Sequence, residues 1–166
     1  MEAPGFEAEE DPAAFAAARE ALLAAGAADA DVFVDLMVHY WQTTDGGFAA
    51  TQGLDQRSIA VAGERLSAML AQPSGWVSET ADYRFWSRYI RWADFGGAFE
   101  IEDCIDLLEQ SPDYREPVFF VYAASAGRRF GDEAAALWKR LQADSTLRAK
   151  YVRSVVQSVR LVGPLR

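Results

Sequence analysis

The segment 117–130, PVFFVYAASAGRRF, limits the possible folds more than any other, because from Val118 to Ala124 its only polar side-chain group is the Tyr122 hydroxyl. A helix that is apolar on every side cannot lie on a surface and belongs inside the molecule. VFFVY alone would suit a buried strand, since aromatic and β-branched residues favour extended structure. The AASAGRRF that follows, and the lack of a second convincing strand to pair with it, favour a helix running on to Gly131. The expected fold is therefore all-α: a single compact multi-helix bundle packed around a buried central helix at 117–130.

Helical periodicity and turn residues divide the rest of the chain. Asp11-Pro12 offers an N-cap and a first-turn proline ahead of Phe15, Ala18, Leu22 and Ala25, and Gly26 ends that helix. A second helix begins at Asp29 or Asp31, with Val32, Phe33, Leu36, Met37, Tyr40 and Trp41 inward and Asp31, Asp35 and His39 expected on the solvent side. Asp45-Gly46-Gly47 breaks it. Over 55–72 the stripe is Ile59, Ala62, Leu66, Met69 and Leu70. The segment 80–95 is the most sharply amphipathic, with Tyr83, Phe85, Trp86, Tyr89, Ile90 and Trp92 on one half of the wheel and Arg84, Arg88 and Arg91 opposite. Ile101, Cys104, Ile105 and Leu108 point inward from a short acidic helix at 100–110. Beyond the central segment, 132–144 presents Ala134, Leu137, Trp138 and Leu141. Ser145 then caps a last helix with Tyr151, Val152, Val155, Val156 and Val159 on one side.

These segments make about eight helices in one domain at 11–163, between an acidic tail at 1–10 and a short tail at 164–166. Asp45-Gly46-Gly47-Phe48 and Phe95-Gly96-Gly97-Ala98-Phe99 each follow an aromatic-rich helix, a spacing that would suit irregular helix-pair repeats.

Composition excludes several classes of function. With 166 residues and 51% hydrophobic content the chain can build one real core. Its formal charge of −9 argues against nucleic acid as a partner, because phosphate binding needs an electropositive footprint. The single cysteine, Cys104, cannot close an internal disulfide, which suits a reducing compartment. The opening MEAPGFEAEEDP is acidic where a signal peptide is basic, and no apolar run approaches a membrane span. A cytoplasmic protein with no membrane partner is expected. Arginine outnumbers lysine, present only at Lys139 and Lys150, and alanine is abundant, as in GC-rich bacterial genomes.

No motif commits the chain to chemistry. Asp35 one turn before His39 could orient an imidazole, but this is the only histidine and no nucleophile or second ligand stands at a matching spacing. Glu102-Asp103-Cys104-Ile105-Asp106 resembles, over five residues, the aspartate-rich magnesium motif of all-α terpenoid synthases. The resemblance would imply metal-held diphosphate on that helix, but the chain is much too short for the fold. Carboxylates facing water are the simpler reading, and a small divalent-metal hydrolase using the acidic helix at 100–109 is the enzymatic alternative. Cys104, on an inward stripe, reads as a packed thiol. No dinucleotide or phosphate-loop pattern occurs, and no cofactor, metal site or catalytic residue is expected.

Charge is unevenly placed along the chain. Before Leu36 nine acids face Arg19 alone, while from Gly127 onward nine basic residues face Asp132, Glu133 and Asp144. Either the two ends neutralise each other within the bundle or they steer association with another chain. The leading expectation is a non-enzymatic protein that binds another protein, as an adaptor, an accessory or an acidic inhibitor of the toxin-immunity kind. A self-associating structural subunit is the alternative. The surface proposed for the partner is the helix at 80–95: Trp86 and Trp92 as anchors, with Arg84, Arg88 and Arg91 as a rim that grips carboxylates.

Overall fold

A computed structural model describes residues 11–27, 29–73 and 75–162. Among them are nine α-helices and no strand: α1 (Pro12–Ala24), α2 (Ala30–Thr44), α3 (Gly46–Thr51), α4 (Gln56–Ala71), α5 (Ala81–Phe95), α6 (Ile101–Gln110), α7 (Pro117–Ala124), α8 (Gly131–Arg140) and α9 (Leu147–Val162). The chain is the all-α bundle its periodicity predicts. The expected tails at 1–10 and 164–166 lie outside the described residues. No described helix is long and apolar enough to cross a membrane.

Most helix starts are set by short polar side chains. Asp11 accepts from the Ala13 N–H ahead of Pro12, Asp55 from Ser58 and Thr80 from Tyr83. Glu100 and Asp103 form a reciprocal capping box at α6. The last helix begins later than expected, with Thr146 rather than Ser145 accepting from the Ala149 N–H. Gly96, at φ 69°, closes α5 in the left-handed conformation that glycine adopts without strain. The two Gly-Gly segments do not make equivalent units. Asp45 caps a further short helix, α3, through the Phe48 N–H, whereas no helix forms over 96–100.

Two helices are enclosed. α7 is buried from Pro117 through Tyr122, as an all-apolar helix must be, but it ends at Ala124 instead of 130. The Gly127 N–H returns to the Tyr122 carbonyl at 2.8 Å, and Ala126 and Gly127 turn left-handed. A Cβ on Gly127 would stand 3.3 Å from Val159 of α9, so this turn lets α9 approach closely. The more central helix is α2, buried without interruption from Phe33 to Trp41 and packed against α1, α3, α4, α5 and α9.

That enclosure overturns the expected solvent face of α2. Asp35 and His39 are 8% and 3% exposed because α1 lies over them and α9 brings Arg148 against Asp35. The Phe15 ring stacks on His39 with centroids 4.8 Å apart, and the Arg19 guanidinium sits 3.4 Å above Phe15. Apolar side chains of α2 and α4–α9 merge into one cluster. At its aromatic centre Trp86 contacts Phe85, Tyr89, Phe119 and Tyr151, and the Tyr89 and Tyr151 hydroxyls share a hydrogen bond of 2.6 Å.

Candidate functional site

The N-terminal ends of α2, α5, α7 and α9 meet around one arginine. Asp29 caps α2 by accepting from the Asp31 N–H, which fixes Asp31 and Asp35 on successive turns of one face. Asp82 stands in the first turn of α5, Glu116 directly before Pro117 of α7, and Arg148 in the first turn of α9. Helix N-termini carry partial positive charge, so carboxylates are favoured there.

Arg148 is 7% exposed. Its Nη2 donates to Asp31 Oδ1 at 2.8 Å, and its Nε lies 2.9 Å from Asp35 Oδ1 and 3.6 Å from Glu116 Oε1. Nη1 is 3.7 Å from Asp82 Oδ1. The Asp35 approach is a charge contact without hydrogen-bond geometry, and both Asp35 Oδ1 and Arg148 Nη1 are buried with no hydrogen-bond partner. Glu116 Oε2 accepts from the Trp86 indole at 2.6 Å and from the Tyr114 hydroxyl at 3.2 Å.

Burial pushes Asp35 and Asp82 up to about 6, against the opposing pull of Arg148. Burial also opposes the charge on Arg148, but the carboxylates of Glu116 and Asp35 outweigh it and hold the guanidinium above its ordinary value. His39 lies apart under α1, pushed down to about 4 by burial and by the neighbouring Arg19.

Outward from Arg148 the cluster opens into a cleft of about 460 Å³. Six carboxylates line it, from Asp29, Asp31, Asp82, Asp113, Glu116 and Asp144. Three guanidinium groups answer them, from Arg115, Arg140 and Arg148. With all nine ionised the lining carries three negative charges in excess. No histidine or cysteine faces this space, and no described group of three or more His, Cys, Asp or Glu side chains has an arrangement that could hold a metal ion. What the cleft can do chemically is hold a cationic group.

The residues singled out from sequence are placed elsewhere. Arg88 pairs with Asp103 of α6 at 2.7 Å, Arg84 donates to Gln110 at 3.2 Å, and Arg91 donates to the Leu70 carbonyl at 2.6 Å. The arginine row thus ties α5 to α6 and α4. Trp86 is fully buried and offers no surface, because Glu116 supplies its indole partner from within the fold. Trp92 is 42% exposed near Phe95, itself 60% exposed. Asp103 is engaged by the Glu100 N–H and by Arg88. Burial, chiefly, pushes the Cys104 thiol up to about 12.

Sequence reasoning missed Arg148 and Glu116 and gave Asp82 no role. The signal for Arg148 was its register: it stands four residues before Val152 and eight before Val156, on the apolar stripe of α9. An arginine at a stripe position must be buried with partners. The charge asymmetry is resolved in part here, since Arg148 from the basic end meets Asp31 and Asp35 from the acidic end. Compared with known proteins, the chain matches no protein-family model, no curated protein and no solved structure.

Proposed function

We propose that the chain is a non-enzymatic protein that binds another protein, and that a basic segment of this partner docks in the cleft around Arg148, as in an adaptor or an acidic inhibitor of a basic protein. The observation that carries this reading is uncompensated charge in a concave site: six carboxylates against three guanidinium groups. A lysine or arginine entering it gains charge-assisted hydrogen bonds, and the surrounding field speeds and orients the encounter. The metal-hydrolase alternative has less support, because Asp103 of the 100–109 helix is already used in a cap and an ion pair.

The test is calorimetric titration and amide shift mapping with an acetylated, amidated peptide of alternating arginine and glycine, against its glutamate counterpart. The basic peptide is expected to bind and to shift amides at 29–31, 82, 113–116 and 144–148. Asp113 is exposed in the loop before α7, so reversing it to lysine leaves the core and the Asp29 cap of α2 untouched. Affinity should then fall at least tenfold, about 1.4 kcal/mol. Equal binding of both peptides, or indifference to the reversal, overturns the reading.

A specific observation also favours self-association. Trp92 and Phe95 are exposed side by side with Arg91 at the end of α5, and aromatic residues with arginine are the enriched composition of interfaces. Arg84 and Arg88 extend the same edge. Light scattering should report an oligomer that Trp92→Ser converts to monomer; a monomeric wild type removes this second surface.

A further inference from the structure

One guanidinium cannot balance the carboxylates gathered on it. Among the four around Arg148 only Asp31 completes a hydrogen bond with it, at 2.8 Å, while Asp82 and Glu116 stay at 3.7 Å and 3.6 Å. Nη1, on a side chain 7% exposed, has no hydrogen-bond partner and faces Asp82 across that gap at the base of the cleft. The site is incomplete twice over: a buried donor lacks an acceptor, and the negative charge lacks a counter-charge. Two things can supply the missing positive charge, a proton or an incoming cation.

We propose that a basic residue of the partner and a proton on Asp82 compete for the same place, so that docking expels the proton and acidification releases the partner. This rests on the docking reading above and adds its regulation. The groups facing Asp82 are Asp31 from α2, Tyr114 and Glu116 from the segment entering α7, and Arg148 from α9. Asp31 and Glu116 add to the effect of burial in holding its proton on, to about 6, and only Arg148 among these side chains pulls the other way. An arriving ammonium or guanidinium joins Arg148 on the side that favours the carboxylate, so the proton leaves to solvent. A basic residue in a peptide also answers the orphan donor, because its main-chain carbonyl arrives with its side-chain cation and can accept from Nη1.

The probe is again the acetylated, amidated arginine–glycine peptide, titrated from pH 7.5 to 5.0 at constant ionic strength. Its own charge is constant over this range. A carboxyl near 6 is about nine-tenths protonated at pH 5, so the dissociation constant should weaken about tenfold. At pH 6 the binding enthalpy measured in two buffers of different ionisation enthalpy should report roughly half a proton released per peptide bound. This readout needs no variant. Asp82→Asn should bind more weakly than wild type at pH 7.5 and lose both the pH dependence and the proton release.

The outcomes separate the two ideas. Peptide binding that is flat from pH 7.5 to 5.0, with no buffer-dependent enthalpy, overturns the competition and leaves docking standing. Wild-type pH dependence retained in Asp82→Asn also overturns it, since the proton then resides on another group. Absence of binding at every pH overturns docking and competition together.

Discussion

Replacing Arg148 by methionine keeps most of the buried volume and removes the one cation that Asp35, Glu116 and Asp82 share. Breaking a buried ionic cluster by taking out one partner costs about 3–5 kcal/mol, because the charges left behind stay desolvated. Here that cost depends on pH in a direction the geometry fixes. Asp35 already has a folded-state value raised to about 6 from 3.8, and Arg148 is the largest influence holding it down. Without Arg148 it rises further. A group whose folded value is raised contributes stability that is fully present below its unfolded value and lost as pH climbs through the folded one. The variant should therefore lose stability more steeply than wild type between pH 4 and 8. At pH 7.5 the deficit should be about 3–5 kcal/mol, shrinking to about 1–2 kcal/mol at pH 5, where Asp35 and Asp82 can take up protons instead of remaining as unpaired anions.

Urea unfolding followed by tryptophan fluorescence at the two pH values measures both numbers. A control variant with Arg148→Met, Asp35→Asn and Glu116→Gln together, which removes charge from both sides, should recover part of the loss at pH 7.5. A deficit under 1 kcal/mol at pH 7.5, or one that is equal at both pH values, would refute the view that Arg148 is held in place by charge inside the fold.

Other perturbations read other parts of the molecule. Phe119, fully buried at the aromatic centre, should cost about 3–5 kcal/mol when cut to alanine, and a change within half a kcal/mol would mean that α7 is not core. Asp35→Asn and His39→Asn should tilt the pH–stability curve in opposite directions between pH 4 and 7. The raised value of Asp35 makes wild type gain stability on acidification, a tenfold change in proton affinity between the folded and unfolded chain being worth about 1.4 kcal/mol. The depressed value of His39 makes wild type lose stability as pH falls from its ordinary 6.5 through 4. Equal slopes in the two variants would show that folding changes the proton affinity of neither group. Cys104, with its thiol pushed up to about 12 by burial and by Asp103, should resist a thiol reagent at pH 7.5 in the native state and react only on unfolding, which a mass-shift time course checks.

The parts of this fold that were legible in the sequence are those governed by local chemistry. Asp11-Pro12, Asp55, Thr80 and Gly96 mark helix ends because capping is decided by a few neighbouring atoms, and the boundaries at α1, α4 and α5 follow from them. The apolar character of Val118–Val121 gave its burial in the same direct way. The end of α7 was harder, since Ala123 and Ala124 suit a helix and the turn at 125–130 is set by α9 crossing at Gly127, a contact distant in sequence. Asp35 and His39 show the general limit. A helical wheel reports which side chains oppose the apolar arc of α2, but whether that side meets water depends on another helix. α1 is able to cover it because Arg19 can reach Asp35, 3.7 Å away, while Phe15 shields His39.

The same limit applies to charge, and it bears on function. Opposite charge at the two ends of the chain leaves open whether the ends meet each other or meet a partner. The structure divides the total. Asp35, buried, and Asp31, at the inner edge of the cleft, give part of their charge to Arg148 and so join α2 to α9. Asp29, Asp82, Asp113 and Asp144 border the same arginine from the cleft side, where Arg115 and Arg140 do not match them in number. The inner pairing anchors the guanidinium, because Arg148 is drawn to carboxylates on two turns of one helix. The outer excess is what a partner would sense, since charge that is paired inside exerts little field outside while unpaired charge in a concave site is focused toward its mouth. Neutralising a rim residue such as Asp113 should thus change partner affinity and leave stability within about 0.5 kcal/mol, whereas neutralising Asp35 should do the reverse. A rim substitution that unfolds the protein, or an Asp35 substitution that alters only affinity, would place the division between structure and recognition somewhere other than at Arg148.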